Sequence, residues 1–154
     1  TDLLTWTMAD ISITITGIEY DANSGRWVSY RYGLPRALYS DDGGVTWTDC
    51  TIDTTEEIDL NDVAFDGTGT WVAVGYNYMG GYDEDPRVVY TSNPGDTWNV
   101  SSEEGHGAGD AYSKRWYGVC YDSESGRFVA IGHDGQIFYS TNGGFSWTEA
   151  SVKR

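Results

Sequence analysis

Tyr39-Ser40-Asp41-Asp42-Gly43-Gly44-Val45-Thr46-Trp47 is the stretch on which the reading of this chain turns, because near copies of it close two later segments. They are Tyr90-Thr91-Ser92-Asn93-Pro94-Gly95-Asp96-Thr97-Trp98 and Tyr139-Ser140-Thr141-Asn142-Gly143-Gly144-Phe145-Ser146-Trp147. The shared pattern is Ser/Thr, x, Asp/Asn, x, Gly, x, Thr/Ser, Trp, and each place has a physical task. Ser40, Thr91 and Ser140 open the motif. Asp42, Asn93 and Asn142 are expected to fold a side-chain oxygen back onto backbone N–H groups. Gly44, Gly95 and Gly144 are expected to supply the positive φ of a tight hairpin. Trp47, Trp98 and Trp147 then lie on the returning strand, where the indole covers the turn and buries a large area. These twelve residues read as a folding device.

Outward from the motif, the flanking segments also repeat. Gly17-Ile18-Glu19-Tyr20-Asp21 lies over Asp62-Val63-Ala64-Phe65-Asp66 and Gly118-Val119-Cys120-Tyr121-Asp122. Trp27-Val28-Ser29 lies over Trp71-Val72-Ala73 and Phe128-Val129-Ala130. Alternation of apolar and polar residues in these runs predicts strands. Thr5-Trp6-Thr7 matches the tail of a further copy, so the tryptophans fall at 6, 47, 98 and 147, with spacings of 41, 51 and 49. Periods of that size correspond to four-stranded propeller blades.

The motif resembles the Asp-box, the repeat of sialidase-like and related β-propellers. The resemblance runs from Thr5 to Glu149 and implies an all-β β-propeller of four-stranded antiparallel blades, three in this chain. The expected division is 1–12 as the outer strand of a preceding or shared blade, 13–51, 52–101 and 102–150 as blades, and 151–154 as a tail. Three blades leave sheet faces uncovered. The expectation is therefore closure to six by a second copy, or membership of a longer tandem array; Thr1 suggests a processed or excised beginning.

Composition narrows the function. The chain has 154 residues, 39% of them hydrophobic and 15% aromatic, enough for a core. Nine basic against 24 acidic residues give a formal charge of −15, which repels phosphate backbones and anionic membranes. Nucleic acid and membrane are not expected partners. Twenty glycines against three prolines, with many Thr, Val, Tyr and Trp, favour short strands and tight turns. Cys50 and Cys120 occupy different places in the repeat, so no disulfide is implied, and both read as ordinary buried thiols.

In an up-and-down blade the first and third turns share one face, and the second turn and the crossover share the other. The repeats disagree on the second face, where blade three turns with Gly132-His133-Asp134-Gly135 and blade two spends residues 77–86. The crossover at 101–114 is longer still. Irregular loops on a rigid scaffold are the usual binding place. The candidate ligand-binding residues are Tyr78, Tyr82, Asp83, Asp85, His106, Asp110, Tyr112, Arg115 and His133, since aromatic faces beside carboxylates and an Arg suit sugar recognition. The same residues also suit a protein interface.

Catalytic residues and cofactors are not expected. Asp83, Glu84 and Asp85 are carboxylates suited to Ca²⁺ but lack the alternating spacing of a recognisable loop. Asn99-Val100-Ser101 fits a glycosylation sequon but falls on a strand. Sialidases announce their first Arg in an Arg-Ile-Pro motif, and Arg31-Tyr32-Gly33-Leu34-Pro35 has the wrong spacing. Arg26 and Arg127 hold equivalent repeat positions and read as part of the scaffold. The expected function is a non-catalytic, glycan-recognising module, extracellular or virion-associated, with a cytoplasmic location left open. The alternatives are a scaffold or assembly protein that holds another polypeptide, and a fragment of a sialidase-like glycoside hydrolase.

Overall fold

Alternating apolar runs, each stopped by Asp, Asn or Gly, become strands in a computed structural model that describes residues 15–31, 37–78, 84–101 and 115–151. The first sheet takes β1 (Ile15–Asp21), β2 (Arg26–Arg31), β3 (Ala37–Ser40) and β4 (Thr48–Asp49), paired in that order. The second contains β5 (Thr51–Ile52), β6 (Ile58–Phe65), β7 (Trp71–Tyr78), β8 (Glu84–Thr91) and β9 (Thr97–Val100), in the order β5-β9-β8-β7-β6. The third repeats the first with β10 (Trp116–Asp122), β11 (Arg127–Gly132), β12 (Ile137–Ser140) and β13 (Thr148–Glu149). Residues 1–14, with the Trp6 segment, lie outside the described residues.

One strand departs from expectation. The fourth strand of the first sheet is predicted to run from Thr46 to Thr51, yet pairing stops at Asp49. Thr51 and Ile52 instead pair in parallel with Thr97 and Trp98, because the chain crosses to the second sheet once the Cys50 N–H has bonded to the Ala37 carbonyl. Cys50 is buried there, and desolvation pushes its thiol up to about 12 against a smaller downward pull from the Trp98 indole.

Two cores join the three sheets. Between the first and second sheets lie Val28, Tyr30, Leu60, Trp71, Val89 and Trp98. Between the second and third lie Val72, Val74, Trp116, Phe128, Phe138 and Trp147. The alternation of β7 explains the division: Trp71 and Ala73 enter the first core, Val72 and Val74 the second. The second sheet is thus apolar on both faces and covered on both.

Asp62 ties all three sheets together from a bulge in β6. Its carboxylate accepts the Tyr30 hydroxyl of the first sheet at 3.1 Å and the Val119 N–H of the third at 2.9 Å. The neighbouring Asn61 amide donates to the Trp116 carbonyl at 2.6 Å. Gly17 and Gly118 occupy the place of Asp62 in the other sheets, so this link has no counterpart in either.

Cys120 corrects the expectation of two buried thiols: it is exposed. The equivalent Ala64 is buried because the third sheet covers it, whereas Cys120 lies on the outer face of that third sheet.

Candidate functional site

The tryptophan-ended hairpins occupy one end of the sheets, and the first and third are built alike. The Ser40 hydroxyl donates to Asp42 and accepts from the N–H groups of Asp42 and Gly44, while Asp42 accepts the N–H groups of Val45 and Thr46 and the Thr46 hydroxyl. Ser140, Asn142 and Ser146 repeat this around Gly144. The indole N–H groups of Trp47 and Trp147 donate to the carbonyls of Gly44 and Gly144, closing each turn over itself.

The second hairpin departs from the expected pattern. Gly44 and Gly144 have φ of 86° and 85°, but Gly95 is not left-handed. Pro94 stands where Gly43 and Gly143 take positive φ, and its ring forbids that conformation. The turn is therefore closed differently: Asn93 accepts the Gly95 N–H, its own carbonyl accepts the Asp96 N–H, and its side chain also accepts Arg26 of the first sheet. Asn93 is accordingly shared with a neighbouring sheet rather than spent wholly on its own turn. Trp98 is fully buried in the first core, where its indole N–H lies near the Cys50 thiol but completes a hydrogen bond with no described residue.

The hairpin end is rich in satisfied carboxylates, which sets an acid limit on stability. Hydrogen bonds from the Thr46 hydroxyl and N–H, then Ser40, hold Asp42 down at about 2. The Arg26 guanidinium lowers Asp41, and the Ser125 hydroxyl with the Glu124 N–H lowers Asp122. Groups whose folded value lies below the unfolded one stabilise the fold fully above the unfolded carboxylate range and lose that contribution as pH falls through the folded value. The melting temperature is therefore expected to be flat above about pH 5 and to fall steadily from about pH 4 toward pH 2. In Asp42→Asn that fall becomes shallower. A thermal melt series across this range checks both, and an acid limb unaltered in Asp42→Asn would contradict the assignment.

The opposite end carries the irregular connections. β2 ends and β3 begins here, as do β7 and β8, β9 and β10, and β11 and β12. Of the predicted binding residues, Tyr82, Asp83, His106, Asp110 and Tyr112 lie outside the described residues. Tyr78 is described as a backbone position, paired with Glu84 where β7 meets β8.

Arg115, His133 and Asp85 can be placed. The Arg115 guanidinium lies 4.3 Å over the Tyr76 ring, and the Arg115 carbonyl accepts the His133 N–H at 2.9 Å. The crossover and the short turn of the third sheet therefore meet against the second sheet. The His133 ring stands 6.4 Å from that of Tyr117, with its Nδ1 3.1 Å from Asp134. Asp85 is exposed, opposite Asn77 on β7 and 3.8 Å from Arg87.

Residues with no warning in the sequence complete this end. Arg87 is buried and makes a two-armed ion pair with Glu56 at 2.7 and 3.2 Å, which holds Glu56 below the usual carboxylate range. Asn77 is buried with its amide nitrogen unpartnered among the described residues. Tyr76, near the end of β7, is buried as well. As for Ca²⁺ at 83–85, Asp83 and the Glu84 side chain lie outside the described residues, and no metal-holding group of His, Cys, Asp and Glu occurs among those described.

Arg26 and Arg127 sit at the far end, stacked on Tyr39 at 4.7 Å and Tyr139 at 5.1 Å. Arg26 is further committed to Asp41 at 2.6 and 2.8 Å.

No protein-family model matches the sequence, and no curated protein does. Solved structures match it closely in shape. YCF48 bound to D1 peptide superposes with a TM-score of 0.68 and 17% identity, covering 93% of this chain and 42% of that one. YCF48 from Cyanidioschyzon merolae gives 0.61 and 16%, covering 89% and 37%. The fold is a β-propeller. A fructofuranosidase from Schwanniomyces occidentalis complexed with fructose gives 0.58 and 16%, covering 90% of this chain and 33% of that one. The chain thus spans about two fifths or less of the structures it matches, and at these identities the likeness concerns the propeller architecture.

Proposed function

We propose that this chain is a non-catalytic propeller module whose loop end binds a segment of another polypeptide. The observation that carries this reading is the Arg115–Tyr76 pair. Tyr76 is only 5% exposed and its ring lies under the guanidinium, so the face a sugar would stack on is taken. What this end offers instead is an arginine on an aromatic bed and, on the second sheet, an exposed Asp85, groups suited to peptide carbonyls and charged side chains. The YCF48 structure that this chain resembles carries a peptide, in line with this reading. The non-catalytic part draws on Arg26 and Arg127, which stack on tyrosines at the other end. Reading the hairpins as Asp-boxes is supported by the Ser40–Asp42 and Ser140–Asn142 hydrogen bonds.

A glycan is the second reading, favoured by Tyr117, which is 47% exposed beside His133. Selection of peptides from a random displayed library, run beside a glycan array, separates the two. Peptides are expected to be enriched, and Arg115→Glu is expected to weaken them by about tenfold or more, roughly 1.4 kcal/mol. The melting temperature should fall only modestly, since a part-buried cation–π contact contributes about 1 to 2 kcal/mol. Glycan signals abolished by Tyr117→Ala, with no peptide enriched, would replace the polypeptide reading. Turnover of a fluorogenic glycoside would replace both.

A further inference from the structure

The two internal junctions between sheets are copies of one another, and the outer faces of the described sheets carry the two unmatched halves of a third. Register shows this residue by residue. Val28 and Tyr30 of β2, Val72 and Val74 of β7, and Val129 and Ile131 of β11 stand at the same places in their sheets. The first pair enters the first core and the second pair the second core. Ile131 of the third pair is 51% exposed. On the other side, Phe65 and Trp71 close the first core and Tyr121 and Phe128 the second, while the equivalent Tyr20, stacked on Trp27, is 42% exposed.

The hairpins repeat the same logic. Gly95 sits against Arg26 and Tyr39 of the preceding sheet, and Gly144 against Val72 and Tyr90, where an added Cβ would come within 2.7 Å of Val72. Phe145 meets Tyr90 edge-on at 6.1 Å. For Gly44 the nearest described neighbour of an added Cβ is its own Trp47 at 3.8 Å, and Val45, equivalent to Phe145, is 68% exposed. The matching residues stand at the other end of the row of sheets, Val129 and Tyr139 half-buried and Arg127 exposed.

We propose that a second copy of this chain fills both openings, with the first sheet of each copy packing head to tail on the third sheet of the other to close a six-sheet ring. Charge agrees with the seating. Arg26 stacks on Tyr39 and reaches Asn93 of the next hairpin; Arg127 stacks on Tyr139 in the same way, and the residue equivalent to Asn93 in the incoming hairpin is the carboxylate Asp42. Six sheets fall within the four to eight that close radially, and a head-to-tail contact that closes on itself ends growth at two copies. The ring also explains Cys120 on β10 and Ile131 on β11, which stand exposed where Ala64, Tyr30 and Val74 are buried.

Sedimentation equilibrium at about 10 µM protein and 0.15 M salt tests it. The expected mass is twice the 17.0 kDa of one chain, and Cys120 is expected to react slowly with a maleimide. Ile131→Asp is expected to halve the mass and release the Cys120 thiol to fast labelling, with the β circular-dichroism spectrum kept. Ile18→Asp, on the other open face, is expected to do the same. A single-chain mass for the unaltered protein, including one that gains stability only when joined to further repeats, would overturn the proposal. So would open-ended polymers, or a dimer that both variants leave intact.

Discussion

Trp98→Ala is expected to lower the stability of the fold by about 3 to 5 kcal/mol. The indole is fully buried in the first core, beside Trp71, Tyr30 and Cys50, and its strand pairs with β5 as well as β8. Removing it takes away apolar area on two sheets at once and leaves a cavity that the rigid sheets close only in part. For a chain of this length the loss corresponds to a melting temperature lower by roughly 6 to 20 °C. Trp98→Phe should recover more than half of it. The ring is kept, and the N–H that no described residue accepts is removed. A melting curve unchanged in Trp98→Ala would show that the first and second sheets do not meet there.

Gly75→Ala is expected to cost about 3 kcal/mol or to prevent folding, although it adds a single methyl group. Gly75 faces the β6 bulge, where pairing jumps from Leu60–Gly75 to Asp62–Val74. A Cβ there would lie 1.9 Å from the Asp59 carbonyl oxygen and 2.9 Å from the Leu60 Cα, both backbone atoms held by the ladder. Nothing flexible can give way. At Gly25 the situation differs: φ is 78° but the space is open, so Gly25→Ala meets only the left-handed backbone penalty of about 1 kcal/mol. Denaturant midpoints for the two variants check the ranking, and a Gly75→Ala midpoint equal to that of the parent would mean that the bulge is misplaced. The bulge matters beyond stability because it presents Asp62 to both neighbouring sheets.

The candidate site was only partly readable in advance. Loop length alone put the unequal connections at one end of the sheets, because insertions between otherwise equal repeats show in the sequence. Arg115 and His133 were both marked, and the backbone bond between them follows from the ladder geometry at that end. The covering of Tyr76 by Arg115 was not readable: the two are 39 positions apart (115 − 76) and on different sheets. Nor was the Glu56–Arg87 pair, since in a chain with 24 acidic residues no single carboxylate stands out as a partner.

What the sequence determined by itself was everything settled within a few residues of itself. Ser40 with Asp42 and Ser140 with Asn142 close their own hairpins through side-chain bonds spanning at most four positions, and period-two alternation decided which residues of each strand share a face. Tertiary structure decided whatever depends on which sheet lies alongside. Pro94 altered the second hairpin so that Asn93 turned to Arg26, β5 left one sheet for the next, and Cys120 stayed exposed where Ala64 is buried. The physical reason is that an alternating strand specifies two faces equally well, and only a neighbouring sheet determines which of them is removed from water.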